Sequence, residues 1–170
     1  MTDRFDPNIP PTKDPTDPCI EGDFTSIVGI TDRPTLGKSN LVVNRDQPFD
    51  ITVEWHVFGN LVPLWLTALS ARTRNWVVTA YAESQGPGDE KTLGSVNVPI
   101  GGPTFSLDEK YSAKLTVPAN MLAEENPGDP TQSGTYKIVV TTFLDSDLGA
   151  VGYDMMGYAE GPIIKVESPL

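Results

Sequence analysis

The chain is poor in the residues from which many catalytic and metal sites are built. Among its 170 residues there is one histidine, His56, and one cysteine, Cys19. A zinc centre draws on several Cys and His ligands, so this pair cannot supply one. With a single cysteine no internal disulfide can close, and cysteine usage gives no sign of an oxidising compartment. Cationic side chains are also scarce. Lys and Arg number 12 against 23 Asp and Glu, a net charge of −11. Such a surface repels a phosphate backbone, which argues against nucleic acid as a partner. It disfavours an anionic membrane surface for the same reason. Long apolar runs are missing too: the longest, around Leu61 to Leu69, is too short to span a bilayer and contains Pro63. The opening MTDRFDPNIPPTKD lacks the apolar stretch of a secretory signal, and no Asn-x-Ser/Thr acceptor occurs. These absences lead to the expectation of a cytoplasmic protein with no nucleic-acid or membrane partner.

What is present points to strands. Glycine (15) and proline (16) are both frequent, which suits many short strands joined by tight turns. Hydrophobic residues make up 38 %, enough for one domain to bury a core without metals or disulfides. Residues 1–24 differ from the rest, with five prolines and six acids against Arg4 and Lys13. They read as an extended, partly polyproline-like arm in front of a domain over 25–170. If the arm orders against a neighbouring subunit, Phe5, Ile9 and Ile20 are its anchors.

From residue 25 onward, strand-like segments alternate with turn signals. The clearest is 49–57, where Phe49, Ile51, Val53, Trp55 and Val57 share one face and Asp50, Thr52, Glu54 and His56 the other. Further strands are expected at 25–30, 41–43, 76–83, 92–100, 111–117, 136–142, 151–159 and 163–166. A helical turn is expected at Pro118 to Glu125, where proline suits a first helical position. The run from Leu61 to Leu69 fits helical and strand spacing equally. The fold class expected is all-β: a mostly antiparallel sandwich of about eight or nine strands, with at most one or two short helical turns.

The stretch Tyr111-Ser-Ala-Lys-Leu115-Thr-Val117, followed after a short connection by Ser133-Gly134-Thr135-Tyr136-Lys137-Ile138-Val139-Val140, resembles the E-to-F region of immunoglobulin-like domains. That resemblance implies that the Tyr136 hydroxyl folds back on the preceding connection. The cysteine usual two residues later is Ile138 here, as in cysteine-free fibronectin type III-like cores. Trp55 or Trp76 then becomes the buried indole. The resemblance concerns fold alone, since this frame hosts many functions.

Candidate chemistry is thin. His56 lies on the polar face of its strand, and no Gly-x-Ser-x-Gly elbow accompanies it. Gly37-Lys38-Ser39 lacks the glycine of a phosphate loop five positions earlier, where Asp32 stands. Calcium takes oxygen ligands, and Asp145 and Asp147, two residues before Gly149, are the weak candidates for it. A carboxylate pair for hydrolysis is not marked out among the acids. Trp65, Tyr153 and Tyr158 are candidate platforms for a sugar. Two segments look more apolar than a free surface needs. Leu61, Val62, Leu64 and Trp65 form the first, and Met156 and Tyr158 lie in the second. The resulting expectation is a non-enzymatic module without a cofactor. It would mediate protein–protein interaction, through a protein partner or self-association, or serve as a subunit of a larger assembly. A carbohydrate- or calcium-binding module is the first alternative, and a hydrolase with a carboxylate site the second.

Overall fold

The computed structural model describes residues 4–14, 16–32, 41–72, 74–126, 128, 131–147 and 154–168. Its centre is β4 (Phe49–Phe58), in which Phe49, Ile51, Val53, Trp55 and Val57 are 3 % exposed or less. Period-two alternation over nine residues is what a strand with one buried face requires, and β4 has that burial. It is flanked antiparallel by β2 (Glu21–Asp32) and β7 (Asp108–Val117), giving a three-stranded sheet in the order β2-β4-β7.

The second sheet is larger. Its main path is β1-β9-β8-β5-β6, built from β1 (Arg4–Asp6), β5 (Asn75–Ser84), β6 (Lys91–Pro99), β8 (Thr135–Leu144) and β9 (Met155–Glu167). A sixth strand, β3 (Val42–Asn44), runs parallel to the far end of β9. The two sheets pack face to face as a β-sandwich, and the all-β expectation holds. Trp55 and Trp76, both fully buried, meet edge-on from opposite sheets, with ring centroids 5.7 Å apart. Tyr111 stacks on Trp55 at 5.5 Å, and its hydroxyl donates to the Ile100 carbonyl at 3.2 Å. Burial pushes that phenol's pKa up, so it stays a neutral donor.

The connection from β7 to β8 holds the hydroxyl contact expected of Tyr136, which donates to the Ala123 carbonyl at 3.1 Å. The helical turn expected at 118–125 is absent. Asn120 sits in the left-handed region (φ 63°), and its N–H goes to the Arg45 carbonyl at 2.8 Å instead of closing a turn. The segment around Leu61 to Leu69 is a helix, α1 (Val62–Ser70), with Pro63 in its first turn, where the missing N–H is harmless. Val62, Leu66 and Leu69 fall on one side and are fully buried. Among the described residues no helix is long and apolar enough to cross a membrane.

The N-terminal segment lies along its own sheet. Arg4, Phe5 and Asp6 pair with Tyr158, Gly157 and Met156 of β9. Phe5 is 8 % exposed and its ring meets that of Phe24 at 4.9 Å. Glycine is required beneath it, because a Cβ at Gly22 or Gly157 would collide with the Phe5 ring.

Candidate functional site: a groove on the outer face of the large sheet

A strand whose inner residues fill the core turns the alternate set outward. On β5 that set is Val77, Thr79, Tyr81 and Glu83. On β8 it is Lys137, Val139, Thr141 and Phe143, and on β9 it is Met156, Tyr158 and Glu160. The register lines these up in rows across the sheet. Val77, Phe143 and Met156 form one row, and Thr79, Thr141 and Tyr158 the next. Tyr81, Val139 and Glu160 form the third, and Glu83 faces Lys137 in the last. On the β6 side, Thr92 stands opposite Tyr81 and Ser95 opposite Thr79.

The rows are not flat. Val139 points away from the core and lies outside the core cluster, yet it is only 4 % exposed. The side chains around it therefore cover it. Tyr81 and Tyr158 stand on the strands to either side, and with Thr92, Thr141, Met156 and Glu83 they line an open groove of about 540 Å³. That size falls within the range usual for small-ligand sites.

One end of the groove is organised by charge. Lys137 Nζ donates to Glu160 Oε1 at 2.7 Å and lies 3.9 Å from Glu83. The Tyr158 hydroxyl donates to the same Glu160 oxygen at 3.1 Å. The Lys137 ammonium, aided by Tyr158, holds the Glu160 carboxyl below its ordinary pKa. Glu160 in turn raises the lysine. Desolvation, and then the Glu160 bond, raises Tyr158. All three shifts point away from neutrality. A general acid or base works best with a pKa near the operating pH. These three groups are therefore fixed in charge at neutral pH, and suited to orienting a ligand more than to exchanging protons with it.

The structure distributes the residues marked out by sequence. Met156 (45 % exposed) and Tyr158 lie in the groove. Phe5 and Ile20 are buried within their own chain, whereas Ile9, bridged to Ile20, is 48 % exposed. Val62 is fully buried, Leu61 and Trp65 pack part-buried against the core, and Leu64 is 72 % exposed. Trp65 thus stands far from a free platform, and Tyr153 falls outside the described residues. Asp147 is held by Arg74, and Asp145 accepts its backbone N–H at 2.8 Å. Among the described residues no three Asp, Glu, His or Cys side chains gather as a metal site. His56 Nδ1 lies 2.7 Å from Asp108 on the outer face of the other sheet. Cys19 is buried, and its Sγ accepts from the Asn60 N–H at 3.5 Å, so it does not pair with His56.

Sequence reasoning missed Tyr81, Val139, Lys137 and Glu160. The signal was present in part, because Tyr81 holds the outward phase of β5 and Val139 that of β8. Only the register of three strands brings them together.

No family model matches the sequence, and no curated protein does. A search of solved structures returned a superoxide reductase (neelaredoxin) from Ignicoccus hospitalis, at 16 % identity and a TM-score of 0.32, covering 76 % of this chain and 77 % of that one. The expectation of a non-enzymatic interaction or structural module is corrected at this point. No comparison lends such a module direct support: no family model and no curated protein matches, and the solved structure named above is a superoxide reductase. The likeness is too slight to lend this chain that enzyme's activity.

Proposed function

We propose that the chain captures a small, hydroxyl-rich ligand in the groove on the outer face of the large sheet. The observation that carries this reading is the pair Tyr81 and Tyr158 standing over a covered apolar floor, Val139, away from the core. An aromatic wall suits the flat C–H face of a sugar ring, and the burial of that face drives association. Thr92, Thr141 and the Lys137–Glu160–Tyr158 cluster supply donors and acceptors for hydroxyls. Three carboxylates (Glu83, Glu90, Glu160) and two ammonium groups (Lys91, Lys137) lie at or beside the groove, so phosphate-bearing ligands find no net attraction there. Nucleic acid and anionic membranes fall outside the reading on the same ground.

The frame itself we read as immunoglobulin-like. Support comes from the order β9-β8-β5-β6 packed against β2-β4-β7, and from the Tyr136 hydroxyl folded back on the β7–β8 connection.

The test is isothermal titration calorimetry of the full chain with a panel of neutral oligosaccharides, repeated on Tyr81→Ala and Tyr158→Ala. Both side chains lie outside the core, so thermal unfolding should change little. Each substitution is expected to weaken binding about tenfold, equivalent to about 1.4 kcal/mol. Absence of any binding, or binding that survives both substitutions unchanged, overturns the reading.

A further inference from the structure

From the shape of the groove we infer that it takes the interior of a linear, uncharged polysaccharide chain laid across the strands, in preference to a single sugar or a chain end. This rests on the ligand reading above and deepens it. The lining residues come from four consecutive strands of the sheet: Thr92 of β6, Tyr81 of β5, Val139 and Thr141 of β8, and Tyr158 of β9. Neighbouring strands lie about 4.8 Å apart, so the floor is ~14 Å long in the cross-strand direction. That is longer than one sugar ring needs. A site built for a chain end is blocked on one side. Here β6 is the edge strand of its sheet, with Lys91 and Thr92 on it exposed, and at the other end Arg4 of β1, paired opposite Tyr158, is exposed as well, so the described residues at both ends of the floor stand open to solvent.

The preference for an uncharged chain follows from the groove's own pairing. Lys137 is engaged by Glu160 at 2.7 Å, with Glu83 on its other side at 3.9 Å. A uronate placed on Lys137 would have to displace a carboxylate already bound there and would meet a second one. A neutral hydroxyl can instead join the Lys137–Glu160–Tyr158 cluster without displacing a charge. Thr92 and Tyr81 lie in one cross-strand row with Val139 beneath, and Thr141 and Tyr158 lie in the row beside it, so aromatic and hydroxyl contacts run side by side along the groove. A polysaccharide in extended form presents the same mixture.

The experiment is a calorimetric titration of the full chain with cello-, manno- and xylo-oligosaccharides, each from monosaccharide to hexasaccharide. A hexasaccharide reduced at its terminal unit and an oligogalacturonate are included. In the series that binds, affinity is expected to rise at least tenfold from monomer to tetramer and then level off, as the chain outgrows the floor. Reduction of the end unit should leave hexasaccharide affinity within twofold, and the oligogalacturonate should bind at least tenfold more weakly. A monosaccharide that binds within threefold of the hexasaccharide overturns the inference, as does loss of binding on end reduction or tighter binding of the uronate. Those three results leave the groove a ligand site. Failure of every saccharide to bind removes the ligand reading itself, and the inference with it.

Discussion

Tyr136 and Tyr81 are both tyrosines on strands of the same sheet, and their surroundings give them different work. Tyr136 is 3 % exposed, and its hydroxyl donates to the Ala123 carbonyl at 3.1 Å, tying the β7–β8 connection to the start of β8. Removing that hydroxyl leaves a part-buried carbonyl without its donor, at a cost of about 1 kcal/mol. Tyr136→Phe should therefore lower Tm by several degrees in thermal unfolding while leaving ligand affinity unchanged. An unchanged Tm would show that this bond contributes nothing to stability. The role of Tyr136 was legible because neighbouring residues, Ser133-Gly134-Thr135 before it and alternating apolar residues after it, form a local pattern. Tyr81 had no such local mark. Its significance depends on Val139, which lies 58 positions away and becomes its neighbour only through the β5–β8 register.

Among the elements, legibility followed length and regularity. In β4 the apolar set recurs at every second residue, and all five of those residues are 3 % exposed or less. α1 could not be assigned from a nine-residue run, because Leu64, Leu66 and Ala68 satisfy a strand as well as a helix. Packing decided it, since Val62, Leu66 and Leu69 reach the core only at helical spacing. The turn expected after Val117 failed because long-range partners took its backbone groups: Arg45 accepts from Asn120, and Tyr136 donates to Ala123. β1 was hidden for a related reason. A segment with five prolines carries little local preference for a strand, and only the landing site for Phe5 makes residues 4–6 one. That site, glycine at 22 and 157 with Phe24 alongside, gives a firm expectation. Phe5→Ala should destabilise the fold by about 3 kcal/mol in urea unfolding, within the range for large-to-small changes at buried aromatic positions. A loss below about 1 kcal/mol would mean that β1 is a passive appendage.

At the scale of the whole molecule, the sandwich gives its two outer faces different chemistry. The outward face of the small sheet carries Glu54, His56 with its Asp108 partner, and Asp50 bridged to Lys114 at 2.9 Å. The outward face of the large sheet carries the exposed row Val77, Phe143 and Met156, then the hydroxyl row, then the tyrosine groove ending in Lys137 and Glu160. On the proposed reading, that graded face would give an uncharged ligand with both apolar and hydroxyl surfaces its partners in one place. The overall charge of −11 is spread over the chain and does not by itself select the ligand. Composition and alternation made the class of fold readable. The groove was not readable, because it is a property of four strands in register.

The most direct test of the central claim is chemical-shift mapping of the ¹⁵N-labelled full chain during titration with the neutral saccharide that binds best. The largest amide shifts are expected to cluster on Tyr81, Thr92, Val139, Thr141 and Tyr158, with the small sheet unmoved. Shifts centred on His56 and Asp108, or on the Asp145–Asp147 loop, would place the ligand elsewhere and contradict it.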